Sequence, residues 1–292
     1  MRRWAPPFVA LAAIVVAMIM APAAQASVPR LRHVWVFVLE NHKYSEIIGN
    51  PHAPYMNRLA RRHALATRYF SVSHPSLPNY LAMISGSTQG CASDSCKGPY
   101  AGPTLARQLS RHGLRWRGFF EGLPSRGYTG GNTGTYTRHH NPFVYFSSVT
   151  KKRRQRRSIR RFAAFPRSLS DPPALSYVVP NNAHNMHTGS IGAADRWLHY
   201  WVRKVIHSPG FRHRGAVFIT WDEAEKGDTS GCCLPGIHGG HTPLIAVIHG
   251  GRAHARLTAP RTGYSLLRTI EAGFRLPHLG LAARVRPLGR LW

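Results

Sequence analysis

The sequence predicts an α/β protein, a three-layer α/β/α sandwich in which helices cover both faces of a central, mostly parallel sheet. Two observations predict it. Short β-branched and aromatic runs alternate with segments of helical periodicity, the pattern of layered α/β folds. Those runs are near-continuously apolar, as expected of strands buried on both faces.

In chain order, His33–Leu39 (HVWVFVL) is the first strand and runs into Glu40-Asn41. Residues 55–63 read as a helix, and a second helix opens around 79–85 and is followed by Gly86. Residues 114–120 form a strand leading to Glu121, and 175–179 form another that ends at Pro180-Asn181-Asn182. Ile191–Ile206 carries Trp197, Tyr200, Trp201 and Val205 at helical spacing. Residues 216–221 (AVFITW) run into Asp222-Glu223, and the strand 243–248 (PLIAVI) follows. The last helix spans 264–272, with Gly273 as its stop signal. Ligands of such folds sit beyond the carboxyl ends of the strands, and both Glu40-Asn41 and Asp222-Glu223 fall there.

Arg2 and Arg3 precede an apolar stretch from Phe8 to Met20 and then Ala24-Gln25-Ala26. This reads as a signal peptide over residues 1–26, leaving 27–292 as a single domain that is secreted or periplasmic. No other run approaches the ~20 apolar residues of a membrane span, so no transmembrane helix is expected in the mature form. Four cysteines fit an oxidising compartment. Cys91 and Cys96 are close enough in sequence to pair locally. Cys232 and Cys233 are adjacent, so cross-pairing between the two clusters is an open alternative.

Lys and Arg total 39 against 11 acids, a net charge of +28. Such a surface favours contact with anionic polymers or an anionic membrane surface, or reflects an acidic medium; it says nothing about chemistry. The run 151–161 (KKRRQRRSIRR) reads as a solvated, partly mobile segment, with polyanion docking as the alternative.

Two adjacent carboxylates after a buried strand repel each other unless a cation neutralises them, and a hard divalent ion with oxygen ligands does so. Glu40 and the Asn41 amide add oxygen at a second strand end. In SHPSLPNY (73–80), Pro75 and Pro78 fix the backbone around Ser76. Asn79 lies near a helix start, where free N–H groups favour an anion. A serine held there beside a metal is a nucleophile toward phosphorus; the plainer role is a helix cap. His139-His140, His184, His187 and His238-Gly239-Gly240-His241 add groups that ligate metals, donate to phosphate or protonate a leaving alkoxide.

The ordered segments ENHKYSEIIG, SHPSLPNYLAMISGST, HHNPF, VPNNAHNMH, AADRWL, FITWDE and GGHTPLI resemble the bacterial phosphoesterase family. That family includes secreted acid phosphatases and non-haemolytic phospholipases C, within the alkaline-phosphatase-like superfamily. The resemblance covers residues 33–282. It implies an alkaline-phosphatase-like fold and one divalent metal ion held by Glu40, Asn41, Ser76, Asp222 and Glu223. It also implies Ser76 as the nucleophile that becomes phosphoserine, with His140 and His187 as catalytic histidines. Asn41, Asn79, His140, His187 and His241 would contact phosphate. Asp195 would either orient a histidine or cap its own helix. Asn185 stands where the family carries an acid, which weakens any metal or proton-transfer role there.

The expected function is a secreted, metal-dependent acid phosphatase acting on a phosphorylated small molecule or a phosphoinositide headgroup. A phosphodiesterase of phospholipase C type is the enzymatic alternative, and a non-catalytic polyanion-binding protein is the alternative from another class.

Overall fold

Strand β1 (His33–Leu39) buries six of its seven residues and divides them between two cores. Val34, Val36 and Val38 join one apolar cluster, while Trp35, Phe37 and Leu39 join the other. Successive side chains point to opposite faces of a strand, so a run apolar throughout serves a layer on each side. The computed structural model describes residues 1, 28–289 and 291–292; the export segment expected at 1–26 lies, beyond Met1, outside the described residues.

The remaining strands are β2 (Ala64–Phe70), β3 (Trp116–Phe120), β4 (Ile159–Arg161), β5 (Leu175–Val179), β6 (Gly215–Trp221), β7 (His241–Ile248), β8 (Arg256–Leu257) and β9 (Arg261–Thr262). Among the described residues they form one sheet in the order β4-β3-β5-β1-β6-β7-β2-β8, with β9 beside β2. From β4 to β6 all neighbours are parallel. β7 is antiparallel to both β6 and β2. The sheet is therefore largely parallel, as expected, but β2 escaped the sequence pattern. Its polar Thr67 and Arg68 interrupt the apolar run where the strand is less buried.

The helices are α1 (Tyr44–Ile47), α2 (Pro54–Arg62), α3 (Ser76–Ser85), α4 (Leu105–Arg111), α5 (Ser147–Thr150), α6 (Arg153–Arg156), α7 (Ile191–Ile206), α8 (Pro209–Arg212) and α9 (Gly263–Phe274). Helices α3, α4 and α9 cover one face of the sheet through Leu81, Leu109 and Leu267. Helices α2 and α7 cover the other through Met56, Leu59, Leu198 and Val202. Among the described residues no helix is long and apolar enough to cross a membrane.

Helix α9 runs past Gly273 to Phe274, and Arg275 takes the left-handed conformation that ends it (φ 58°). Gly273 is there for contact rather than termination, since a Cβ would come within 2.6 Å of Leu31. The run 151–161 is not a loose tail. It folds into α6 and β4, buries Ile159, and pairs Gly118 with Ile159 across to β3. Cys91 is bonded to Cys96 and Cys232 to Cys233, which removes the cross-pairing alternative.

Asp195 neither orients a histidine nor caps its own helix, which Ser190 caps by accepting from the Ala193 N–H at 3.2 Å. Its buried carboxylate accepts the N–H groups of Tyr55 (3.0 Å) and Met56 (2.8 Å) at the start of α2. A negative group there satisfies two orphan donors and complements the helix dipole. Replacing Asp195 with Ala should cost about 2–4 kcal/mol, a lost cap plus two unsatisfied buried donors. Denaturant unfolding checks this, and a change below about 0.5 kcal/mol would contradict the capping role.

Candidate active site

Parallel pairing of Leu39 with Trp221 sets the next residues of β1 and β6, Glu40 and Asp222, side by side at the carboxyl edge of the sheet. The Asp222 N–H donates to the Leu39 carbonyl at 3.0 Å. Asn41 turns the chain at once, in the left-handed region (φ 51°) that asparagine tolerates. Its N–H donates to Asp222 Oδ1 at 3.2 Å.

Ser76 is the first residue of α3 and is buried. Its hydroxyl lies 2.9 Å from Glu223 Oε1 and 3.2 Å from Glu40 Oε2, within donating reach of both. The Glu40 carboxylate also accepts the Tyr80 hydroxyl. His140, stacked on Tyr80 and buried, brings Nε2 to 3.3 Å from Glu40 Oε2 without an aligned hydrogen bond. His187 sits at the exposed mouth, its ring 5.9 Å from that of His140. Its N–H donates to Asn185 Oδ1 at 2.9 Å, so Asn185 shapes the loop, and its own carbonyl accepts the Glu40 N–H at 2.9 Å.

The electrostatics are those of crowded buried acids. Burial, and then the Asp222 charge, hold Glu40 well above the usual carboxylate range. Asp222 is pushed up to about 8 by burial and the Glu223 charge. Burial, followed by the charges of His139 and His187, pushes His140 well below an ordinary imidazole, so it rests neutral.

Among the described residues three buried polar atoms in this cluster have no hydrogen-bond partner: Asn41 Oδ1, Asp222 Oδ2 and His140 Nε2. Buried polar atoms are nearly always paired, and oxygen donors gathered around repelling acids suit a hard divalent cation. Among the described residues no three His, Cys, Asp or Glu side chains form a ligand cluster by themselves. The set that converges here is mixed and draws on the Asn41 amide and the Ser76 hydroxyl as well. The residues fit such an ion.

Two expected phosphate contacts are placed elsewhere. The Asn79 amide is fully engaged in the loop before α3. Its Oδ1 accepts Val72 N–H (2.8 Å) and Ser73 N–H (2.9 Å), and its Nδ2 donates to the carbonyls of Ser73 (2.6 Å) and Pro75 (3.2 Å). It positions Ser76 and has no valence left for a ligand. His241 stacks on Tyr44 with ring centroids 4.6 Å apart, and its Nε2 lies 2.9 Å from the Thr67 carbonyl. It packs the start of β7 and does not face the serine. Substituting Asn79 with Asp keeps the oxygen that accepts both N–H groups, loses the amide donor, and sets a charge against two carbonyls. We expect kcat to fall about tenfold or more, with about 1–3 kcal/mol of stability lost; unchanged steady-state kinetics would remove the positioning role.

Sequence reading missed several partners. Tyr80 is four residues after Ser76, hence on the same helix face, a spacing that could have found it. His74 binds the second oxygen of Glu223 through Nδ1, while its Nε2 lies 3.0 Å from the Asp228 carbonyl. Asp94, inside the Cys91–Cys96 loop, accepts the Leu77 N–H at 2.8 Å, and no local pattern marks it. Gly239 lets the 222–240 loop lie on the backbone before Ser76, where a Cβ would come within 2.6 Å of Ser71 and Ser73 backbone atoms.

Residues 49–277 match the Phosphoesterase family. The chain belongs to that family. This phosphoesterase is 32% identical over 277 residues to the phosphatidylinositol-3-phosphatase of Mycobacterium tuberculosis, covering 92% of this chain and 85% of the relative. It is 28% identical to an acid phosphatase of Aspergillus fumigatus over 86% of this chain, and spans 56% of that longer protein. Together they make the chain a phosphoric ester hydrolase. A solved alkaline phosphatase superfamily protein from Vibrio parahaemolyticus superposes with a TM-score of 0.59 at 11% identity, over 86% of this chain and 69% of that one. The lipoteichoic acid synthase LtaP of Listeria monocytogenes gives 0.57 at 12% identity, over 86% and 73%. Those two matches establish the alkaline-phosphatase-like fold of the phosphoesterase.

Proposed function

We propose that this phosphoesterase is an exported, metal-dependent acid phosphatase that hydrolyses phosphomonoesters through a phosphoserine on Ser76. The observation that carries the reading is the Ser76 hydroxyl lying between the Glu40 and Glu223 carboxylates, beside the unpartnered Asn41, Asp222 and His140 atoms.

Glu40, Asn41, Ser76, Asp222 and Glu223 would hold one divalent ion, which when bound neutralises the acids and polarises a phosphoryl oxygen. Ser76 Oγ attacks phosphorus as its proton passes to a carboxylate it already contacts. The Ser76–phosphorus bond forms as the bond to the leaving alcohol breaks. His187, open to solvent at the mouth, protonates that alcohol in this reading. Neutral His140, with its Nε2 unpartnered, steadies phosphoryl oxygens. Water then cleaves the phosphoserine in a second in-line step, restoring the hydroxyl. The phosphatidylinositol-3-phosphatase relative and the net charge of +28 support a substrate with a phosphoinositide headgroup among the candidates.

Rate comparison of an aryl phosphate monoester with the matching diester tests the reaction class, and preference for the diester would move the reading to a phospholipase C type. Metal is tested by dialysis against a chelator. Phosphate release should fall by about 10²-fold or more and return with one divalent ion, and thermal stability should drop with it. Full activity and an unchanged melting temperature after exhaustive chelation would exclude a resident ion.

A further inference from the structure

Six arginines gather outside the cluster around Ser76. Arg115 just before β3, Arg117 on β3, Arg126 beyond it, Arg154 and Arg157 around α6, and Arg160 on β4 line one cavity of about 330 Å³. Arg115 is neutralised by a bidentate pair with Asp171, at 2.7 and 2.5 Å. Among the described residues no carboxylate lies within ion-pair distance of the other five. Arg126 donates Nε–H to the Arg157 carbonyl at 3.0 Å, which ties one arginine of the cleft to the backbone of another.

The frame around these guanidinium groups is built in advance. Gln155 Oε1 accepts the Trp116 indole N–H at 2.9 Å and the Ser110 hydroxyl at 3.0 Å, which pins α6 to β3 and α4. Parallel pairing of Gly118, Phe119 and Phe120 with Ile159, Arg160 and Arg161 fixes the edge strand. Burial first, and then neighbouring arginines, depress Arg117, Arg126 and Arg160 below an ordinary guanidinium. Like charges held this close are relieved by an anion. Among the described residues the only aromatic ring in the lining, Trp116, is 3% exposed with its N–H already bonded. A stacking platform for the bases of a single-stranded nucleic acid is therefore missing.

We propose that this cleft is a second anion site, for a compact ligand carrying two or three clustered phosphate groups. Each phosphate brings about −1.5 to −2 charges, so two or three balance the five guanidinium groups that have no carboxylate partner among the described residues. Arginine's planar fork suits such oxygens bidentately. Edge strand β4 is three strand positions from β1, or about 14 Å, and none of the lining residues belongs to the cluster around Ser76. It stands whether or not the catalytic reading does. The same chemistry has two sources, a free oligophosphate or a multiply phosphorylated lipid headgroup.

The test uses inorganic tripolyphosphate as the probe. Its binding to the full chain carrying Ser76→Ala is measured by calorimetry at constant ionic strength. Adding Arg117→Gln and Arg160→Gln should weaken binding about tenfold or more. In the otherwise native chain the same pair should leave aryl phosphate hydrolysis within about twofold. Arg154→Gln with Arg157→Gln, both exposed, repeats the test without touching the sheet. Vesicles bearing a bisphosphorylated phosphoinositide, against equally charged phosphatidylserine vesicles, separate the two sources. If the phosphoinositide vesicles bind better in an arginine-dependent way, the headgroup is the source; if only tripolyphosphate does, the free anion is. Undiminished affinity for both probes in both double variants would overturn the site. So would duplex DNA binding more tightly than tripolyphosphate through the same arginines.

Discussion

Ser76→Ala is expected to lower phosphate release by about 10⁴-fold or more while leaving the protein folded, as removal of a covalent nucleophile does elsewhere. The hydroxyl is the one group of the cluster that contacts two acids from different strand ends, Glu40 after β1 and Glu223 after β6. Its loss deletes the atom that attacks phosphorus but removes no packing, because the Cβ remains and α3 stays anchored by Leu77, Tyr80 and Leu81. Far-UV circular dichroism should be superimposable on the native spectrum, and stability should change by no more than about 1 kcal/mol. Acid quench of the native enzyme with labelled monoester should trap label on Ser76. Turnover of an aryl phosphate by the alanine variant at a native-like rate would eliminate Ser76 as nucleophile.

The second large effect concerns Glu271 on α9, far from the phosphate chemistry in role. Its carboxyl is 0% exposed and is pushed up to about 8 by burial. Oε1 accepts the Leu279 N–H at 3.0 Å, and Oε2 lies 3.2 Å from His278 Nδ1, an imidazole that burial and then the Arg268 charge hold below its ordinary value. A neutral acid facing a neutral histidine satisfies both. The native pKa exceeds the unfolded value near 4.5, so the folded state binds the proton more tightly. Stability from this group is complete below about pH 4.5 and is lost as pH climbs toward 8. The whole swing is on the order of 5 kcal/mol. Glu271→Gln keeps the acceptor and supplies a permanent N–H for His278. The variant should therefore match the native protein near pH 4 and exceed it by a few kcal/mol near pH 8. Urea unfolding at the two pH values measures this, and parallel pH dependence in both proteins would rule it out.

The parts of this molecule that were legible beforehand are those where burial leaves no choice. The His33–Leu39 run is apolar on both faces, so its boundaries as β1 follow from composition alone. Parallel strands β1 and β6 end in register, and the acids behind them meet. Direction is a different matter. A strand pattern has no arrow, so 243–248 was expected in the sheet but its reversal as β7 was invisible. Strand β2 was hidden because its polar middle breaks the apolar run. Asn79 and His241 show the limit within the site. Their residue types suit phosphate, yet the Ser73, Pro75 and Thr67 carbonyls claim their hydrogen bonds. Asp94 and His74 act through partners far apart in sequence, which no periodicity encodes.

The reversal of β7 also decides how the rim is plumbed. Because β6 ends at the carboxyl edge of the sheet and β7 starts there, residues 222–240 form a cassette with both ends beside Ser76 and the backbone before it. It is tied to itself, the Ala224 N–H meeting the Gly239 carbonyl and the Gly240 N–H meeting that of Ser230, both at 2.9 Å. Its middle is bound in as well: the Asp228 carbonyl lies 3.0 Å from His74 Nε2 and the Asp228 carboxylate accepts the His241 N–H at 3.0 Å, so one residue braces both the approach to Ser76 and the start of β7.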